Sequence, residues 1–111
     1  MLSIEALRTF GADVDEGIAR CMNKADFYLM LVGKATEDQK LAQLSAQLQQ
    51  KDYAAAFETA HSLKGMFSNL SLTPLTKPIS EMTELLRRGT DTDYSALMEE
   101  AAAQFERLRS L

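Results

Sequence analysis

Asp52-Tyr53-Ala54-Ala55-Ala56-Phe57-Glu58-Thr59-Ala60-His61-Ser62-Leu63-Lys64-Gly65-Met66-Phe67-Ser68-Asn69-Leu70-Ser71-Leu72 reads as one amphipathic helix. Advancing by about 100° per residue, as a helix with 3.6 residues per turn requires, Ala56, Ala60, Leu63, Phe67 and Leu70 collect on one side. Apolar residues at this spacing have to be covered by other helices. Asp52 is a good N-cap, because its carboxylate can accept from the free N–H groups of the first turn.

Working outward from this helix, the rest of the chain has the same character. The sequence holds 5 glycines and 2 prolines and is rich in Ala, Leu, Gln, Glu and Met, a composition that favours helix throughout. Downstream, Thr73-Pro74 looks like a cap followed by a first-turn proline. Leu75, Ile79, Met82, Leu85 and Leu86 then continue an apolar face. Pro78 lacks the N–H a helix interior needs, so this helix is expected to start late, near Lys77, or to have an irregular first turn. Gly89 ends it, and Asp91-Thr92-Asp93 supplies a new cap. Tyr94, Leu97, Met98, Ala101, Phe105 and Leu108 mark the last helix.

Upstream, Phe27, Leu31, Ala35, Leu41, Leu44 and Leu48 predict one long helix over about residues 25–50, with Gly33 weakening its middle. Asn23 and Lys24 read as a turn. Two short helices come first. One covers about residues 3–10, with Ile4 and Leu7 on one side, and is broken by Gly11. The other opens at Asp13 and Glu16, which have capping-box-like spacing, and carries Val14, Ile18 and Cys21 or Met22. The expected fold is all-α. A single domain over residues 1–111 forms an antiparallel up-down four-helix bundle, with the one or two short N-terminal helices covering one end. No internal repeat or low-complexity segment interrupts it.

Composition narrows the function. A chain of 111 residues is one domain, too short for a catalytic apparatus plus a separate binding domain. No apolar run approaches 18 residues, so no membrane span is expected. Met1-Leu2-Ser3-Ile4-Glu5 lacks the basic start and apolar stretch of a signal peptide, and the starting methionine suggests a free-standing protein. Cys21 is alone and cannot form an intramolecular disulfide, so a cytoplasmic setting is expected. The net charge of -4 argues against nucleic acid as a partner. One histidine and one cysteine cannot build a usual structural zinc site. There is no Gly-rich phosphate loop, Gly-x-Ser-x-Gly or His-Glu-x-x-His. No cofactor of its own is expected, and an enzyme binding its own nucleotide is disfavoured.

His61, the only histidine, stands with Lys64, Gly65 and Ser68 at i, i+3, i+4 and i+7, which places all four on one helix face. That face offers an imidazole, a cation, a patch of bare backbone and a hydroxyl. Glycine inside a helix costs about 1 kcal/mol relative to alanine, so Gly65 asks for a reason, and the simplest is that something must come close to His61. His61 falls almost opposite the apolar side, which predicts an exposed histidine beside a buried Leu63. Phe57 and Leu72 lie within a narrow angle of His61 and are candidate docking residues. Each residue has a plainer reading by itself. A lone surface histidine is ordinarily just solvated, Phe57 could be core edge, Arg87-Arg88 can serve the helix dipole, and Cys21 can be a small buried hydrophobe. The joint spacing is what points to chemistry.

His61-Ser62-Leu63-Lys64-Gly65 resembles the His-x-apolar-Lys-Gly signature of the histidine-containing phosphotransfer (HPt) domain family. Asp52-Tyr53 is similar to the family's acidic-aromatic start of the histidine helix, and Ser68-Asn69-Leu70 to its small-residue stretch after the glycine. Gly11-Ala12-Asp13-Val14-Asp15-Glu16-Gly17-Ile18, followed by Phe27-Tyr28-Leu29, resembles its N-terminal segment. Two departures stand out: the family often has a second glycine where this chain has Ser71, and Pro78 is unusual. Ser71 is expected to alter the helix end slightly without loss of function.

The resemblance implies a relay. His61 would take a phosphoryl group from an aspartyl phosphate on a response-regulator receiver domain and pass it to another receiver, or back. The chain would have no kinase activity, and the receiver would supply the acidic pocket and Mg²⁺. Lys64 would neutralise phosphoryl oxygens, Gly65 would leave clearance for the partner, and Ser68 would offer a hydrogen bond. The partners implied are receiver domains and a hybrid sensor histidine kinase, met by a monomer. The main alternative is a helical adaptor that docks a receiver or kinase without being phosphorylated. A kinase dimerisation fragment is disfavoured because Ser62, not an acidic residue, follows His61. A metal or haem protein would lack further strong ligands.

Overall fold

Seven helices and no strand make up the computed structural model of the chain, which describes residues 2–111. They are α1 (Ile4–Phe10), α2 (Val14–Arg20), α3 (Ala25–Ala35), α4 (Lys40–Gln49), α5 (Tyr53–Asn69), α6 (Thr73–Arg87) and α7 (Ser95–Arg109). The all-α expectation holds, and most helix ends fall where capping chemistry put them. Asp52 Oδ1 accepts from the N–H of Ala55 at the start of α5. Gly89 follows α6 in the left-handed conformation, φ +67°, and its N–H donates to the carbonyl of Leu86. Asp93 Oδ1 accepts from the N–H of Ser95 as α7 begins.

Two expectations are corrected. The single helix over about residues 25–50 is two helices, α3 and α4, separated by Thr36–Gln39. Side chains with short polar arms compete there with the helical backbone. Thr36 Oγ1 donates to the carbonyl of Gly33, and Asp38 Oδ1 accepts from the N–H of Lys40. The second correction concerns Pro78. Helix α6 begins at Thr73, neither late nor near Lys77, with Leu72 rather than Thr73 as its N-cap. Pro78 lies inside the helix with its ring buried. Loss of one backbone donor is offset by burial of the apolar ring, on the helix that also buries Leu75, Ile79 and Met82.

Helix α5 is the central element, packed between α4 and α6, with α7 against α6. It runs antiparallel to α6, as two cross-helix contacts show: Arg87 lies over Phe57, and Glu84 pairs with Lys64. The predicted inner face of α5 is fully covered, with Ala56, Ala60 and Phe67 at 0% exposure and Leu63 at 1%. Burying one such leucine contributes about 1.5–3 kcal/mol. Phe67 meets Phe105 of α7 at a ring-centroid distance of 6.3 Å.

The N-terminal helices cover the end where α5 turns into α6, and α3 joins them there. Asp13 N–H donates to the carbonyl of Ser71, Tyr28 Oη donates to the carbonyl of Leu70 at 2.8 Å, and the Arg20 guanidinium donates to the carbonyl of Ser68. Orphan carbonyls at the end of the central helix therefore find partners from outside it. Burial pushes the Tyr28 phenol up to about 12, which keeps it a donor.

Candidate functional site

The site grows from the outer side of α5. Because Ala60, Leu63 and Phe67 are fixed inside, His61 is forced outward, and it is exposed. Its ring lies against Phe57, one turn earlier, with centroids 5.8 Å apart and planes 22° from parallel. Phe57 is half-buried. Its ring also carries the Arg87 guanidinium 5.2 Å from its centroid, a cation–π geometry. His61 is thus propped on one side by an aromatic ring that a second helix holds in place. Among the described residues, no group of the chain holds either ring nitrogen in a hydrogen bond.

Lys64 and Gly65 flank the histidine one turn on. Lys64 Nζ lies 3.8 Å from Glu84 Oε1 on α6, and Glu84 Oε2 lies 3.4 Å from Arg87 Nε. A single carboxylate therefore sits between two cations beside the histidine face. A Cβ built on Gly65 would meet nothing within 4 Å. The chain's own packing gives no reason for a glycine there, and the space over it is open.

Ser68 is half-buried at the far end of the face, and its carbonyl is taken by Arg20. Leu72 is not a docking residue. It is 0% exposed, because α5 ends at Asn69 and the chain reverses through Ser71 at φ +54°. The helical rotation that aligned Leu72 with His61 does not extend past that turn. Ser71 occupies the left-handed region that favours glycine. Its Oγ donates to Glu16 Oε1 at 3.1 Å, which accounts for a serine at this place.

Glu84 is not among the residues singled out from the sequence, and Arg87 is read there only as a helix-end cation. Their i, i+3 spacing is visible, but the phase of α6 against α5 is not, and Pro78 left the start of α6 open. Arg88, by contrast, does what a helix-end cation does: its Nε donates to the carbonyl of Glu84. Cys21 is buried as a small hydrophobe.

A cleft of about 480 Å³ borders the site, with Phe57 and Arg87 in its lining. Two broader clefts lie elsewhere, one of about 720 Å³ between residues 36–45 and α7, another of about 650 Å³ around Tyr53 and residues 91–95. His61, Lys64 and Gly65 line neither. Among the described residues no helix is long and apolar enough to cross a membrane, and no group of three His, Cys, Asp or Glu side chains could hold a metal ion.

In comparisons with known proteins, the family model described as Hpt domain matches residues 30–111. That span starts in α3 and includes the whole of α5 and its face. No curated protein and no solved structure matches the chain.

Proposed function

Since this chain belongs to the Hpt domain family, whose members are phosphoryl-carrying modules of two-component phosphorelays rather than kinases, we propose that His61 is its phosphoryl-accepting residue. It takes the group from an aspartyl phosphate of a receiver domain and returns it to that receiver or another. The observation that carries the reading is the exposed His61 ring braced on Phe57, with a cation one turn away and open space over Gly65. The accompanying fold reading is an antiparallel four-helix bundle of α4 to α7, working as a monomer in the cytoplasm.

The chemistry is a single displacement. The lone pair of a neutral ring nitrogen forms the N–P bond while the O–P bond of the acyl phosphate breaks, its electron pair staying on the receiver's carboxylate. The receiver supplies the Mg²⁺ that neutralises phosphoryl charge in the transition state, so the chain needs no metal of its own. Lys64 adds an ammonium for the phosphoryl oxygens, and Ser68 offers a hydroxyl. A rigid helix matters because a misplacement of order 1 Å can cost about 100-fold in rate. Phe57, with Arg87 on its ring, supplies that rigidity for the imidazole, and the exposed part of Phe57 meets the partner. Receiver domains and a hybrid sensor histidine kinase are the partners this chemistry calls for.

The test is transfer from a radiolabelled phospho-receiver in Mg²⁺. Label should move to the wild-type chain. Binding to several receivers without any label, and with the same affinity in His61→Ala, would instead identify a non-phosphorylated adaptor.

A further inference from the structure

We propose that Glu84 is a positioning residue of this site, an internal anion that competes with the phosphoryl group for Lys64 and so sets how far the phosphoryl equilibrium lies towards His61. The inference rests on the phosphorelay reading given above. It starts from the arrangement of Lys64, Glu84 and Arg87, in which one carboxylate contacts two cations at 3.8 and 3.4 Å. Glu84 stands on a fixed platform. Its neighbours Met82 and Thr83 are 0% exposed and Leu86 is 4% exposed, so the carboxylate is anchored by a packed helix while its oxygens stay at the surface.

Without phosphate, Glu84 is the anion within reach of the Lys64 ammonium. A phosphoryl group on a ring nitrogen of His61, one helical turn from Lys64, brings close to two negative charges against one on the carboxylate. Lys64 then has a stronger partner. The Lys64–Glu84 contact can be given up, because an exposed pair of this kind is worth no more than about fivefold in an equilibrium. Glu84 is not left unpaired by the exchange, since Arg87 remains beside it and is itself held on the Phe57 ring. Breaking the Lys64–Glu84 pair nevertheless disfavours the phosphohistidine state. It keeps that state from becoming a trap and keeps transfer reversible.

The test uses the full chain with a receiver domain charged by acetyl phosphate and then desalted, in Mg²⁺. The distribution of phosphoryl groups between receiver and chain is read at its plateau. Glu84→Gln keeps the size of the side chain and removes its charge, and it should move the plateau about threefold to fivefold towards the chain. The shift should shrink as salt is added and vanish when Glu84→Gln is made in a Lys64→Gln background. An unmoved plateau, or a shift of the same size without Lys64, would overturn the role of Glu84. Label on the wild type with an unmoved Glu84→Gln plateau overturns this inference alone. A wild type that takes no label overturns the phosphorelay reading, and this inference with it.

Discussion

Gly17 and Gly65 both lie inside helices, where glycine is the poorest choice short of proline, yet their surroundings differ completely. A Cβ on Gly17 would lie 2.4 Å from Cε1 of Tyr28, well inside the distance at which a Cβ makes non-bonded contacts. A Cβ on Gly65 would meet nothing. The first glycine is explained by the molecule itself: α2 must approach the Tyr28 ring closely so that the ring can reach the carbonyl of Leu70. The second has no explanation within the chain. It stands one turn from the only histidine, where the proposed docking of a receiver would require open space.

The largest stability effect expected from this contrast is at Gly17. Gly17→Ala should destabilise the fold by about 1–3 kcal/mol, the range for overpacking a filled core, and lower the melting temperature by several degrees. An unchanged melting temperature would mean that Tyr28 has another place to go, and the contrast would collapse. Gly65→Gln should do the opposite. It should raise helix stability by up to about 1 kcal/mol while slowing phosphoryl transfer by roughly 10-fold or more through lost clearance. Transfer at the wild-type rate would show that Gly65 is not there for a partner.

Ser71 sharpens the comparison from the other side, because it is a non-glycine where the backbone favours glycine. Ser71→Gly removes a left-handed penalty of about 1 kcal/mol together with a hydrogen bond to Glu16 worth about as much. A melting temperature close to that of the wild type is expected. A clear gain would mean that backbone strain outweighs the bond to Glu16, and a clear loss would mean the reverse.

Much of this was legible in the chain because helix periodicity is a local property. The buried face of α5, the exposure of His61 and the Gly89 stop all follow from spacing within one helix. What failed required knowledge of how segments compete or meet. The break at residues 36–39 depends on Thr36 and Asp38 bonding to nearby backbone, which the apolar pattern through Leu31, Ala35 and Leu41 conceals. The burial of Leu72 depends on a reversal through Ser71, where helical rotation no longer applies. Glu84 and Arg87 reach the His61 face only through the packing of α6 on α5, which no spacing within α6 reveals. Pro78 misled for a related reason, since a lone proline is a local defect that a buried, well-packed position can tolerate.

The central claim is that His61 carries the phosphoryl group, and it is tested most directly by comparing wild type and His61→Gln as acceptors from one phospho-receiver in Mg²⁺. The substitution is at an exposed position, so both chains should show the same helical spectrum. Acid-labile label, with the added mass of one phosphoryl group on the peptide containing His61, should appear on the wild type and be absent from His61→Gln. Label retained on a folded His61→Gln, or label on another residue of the wild type, would contradict the account.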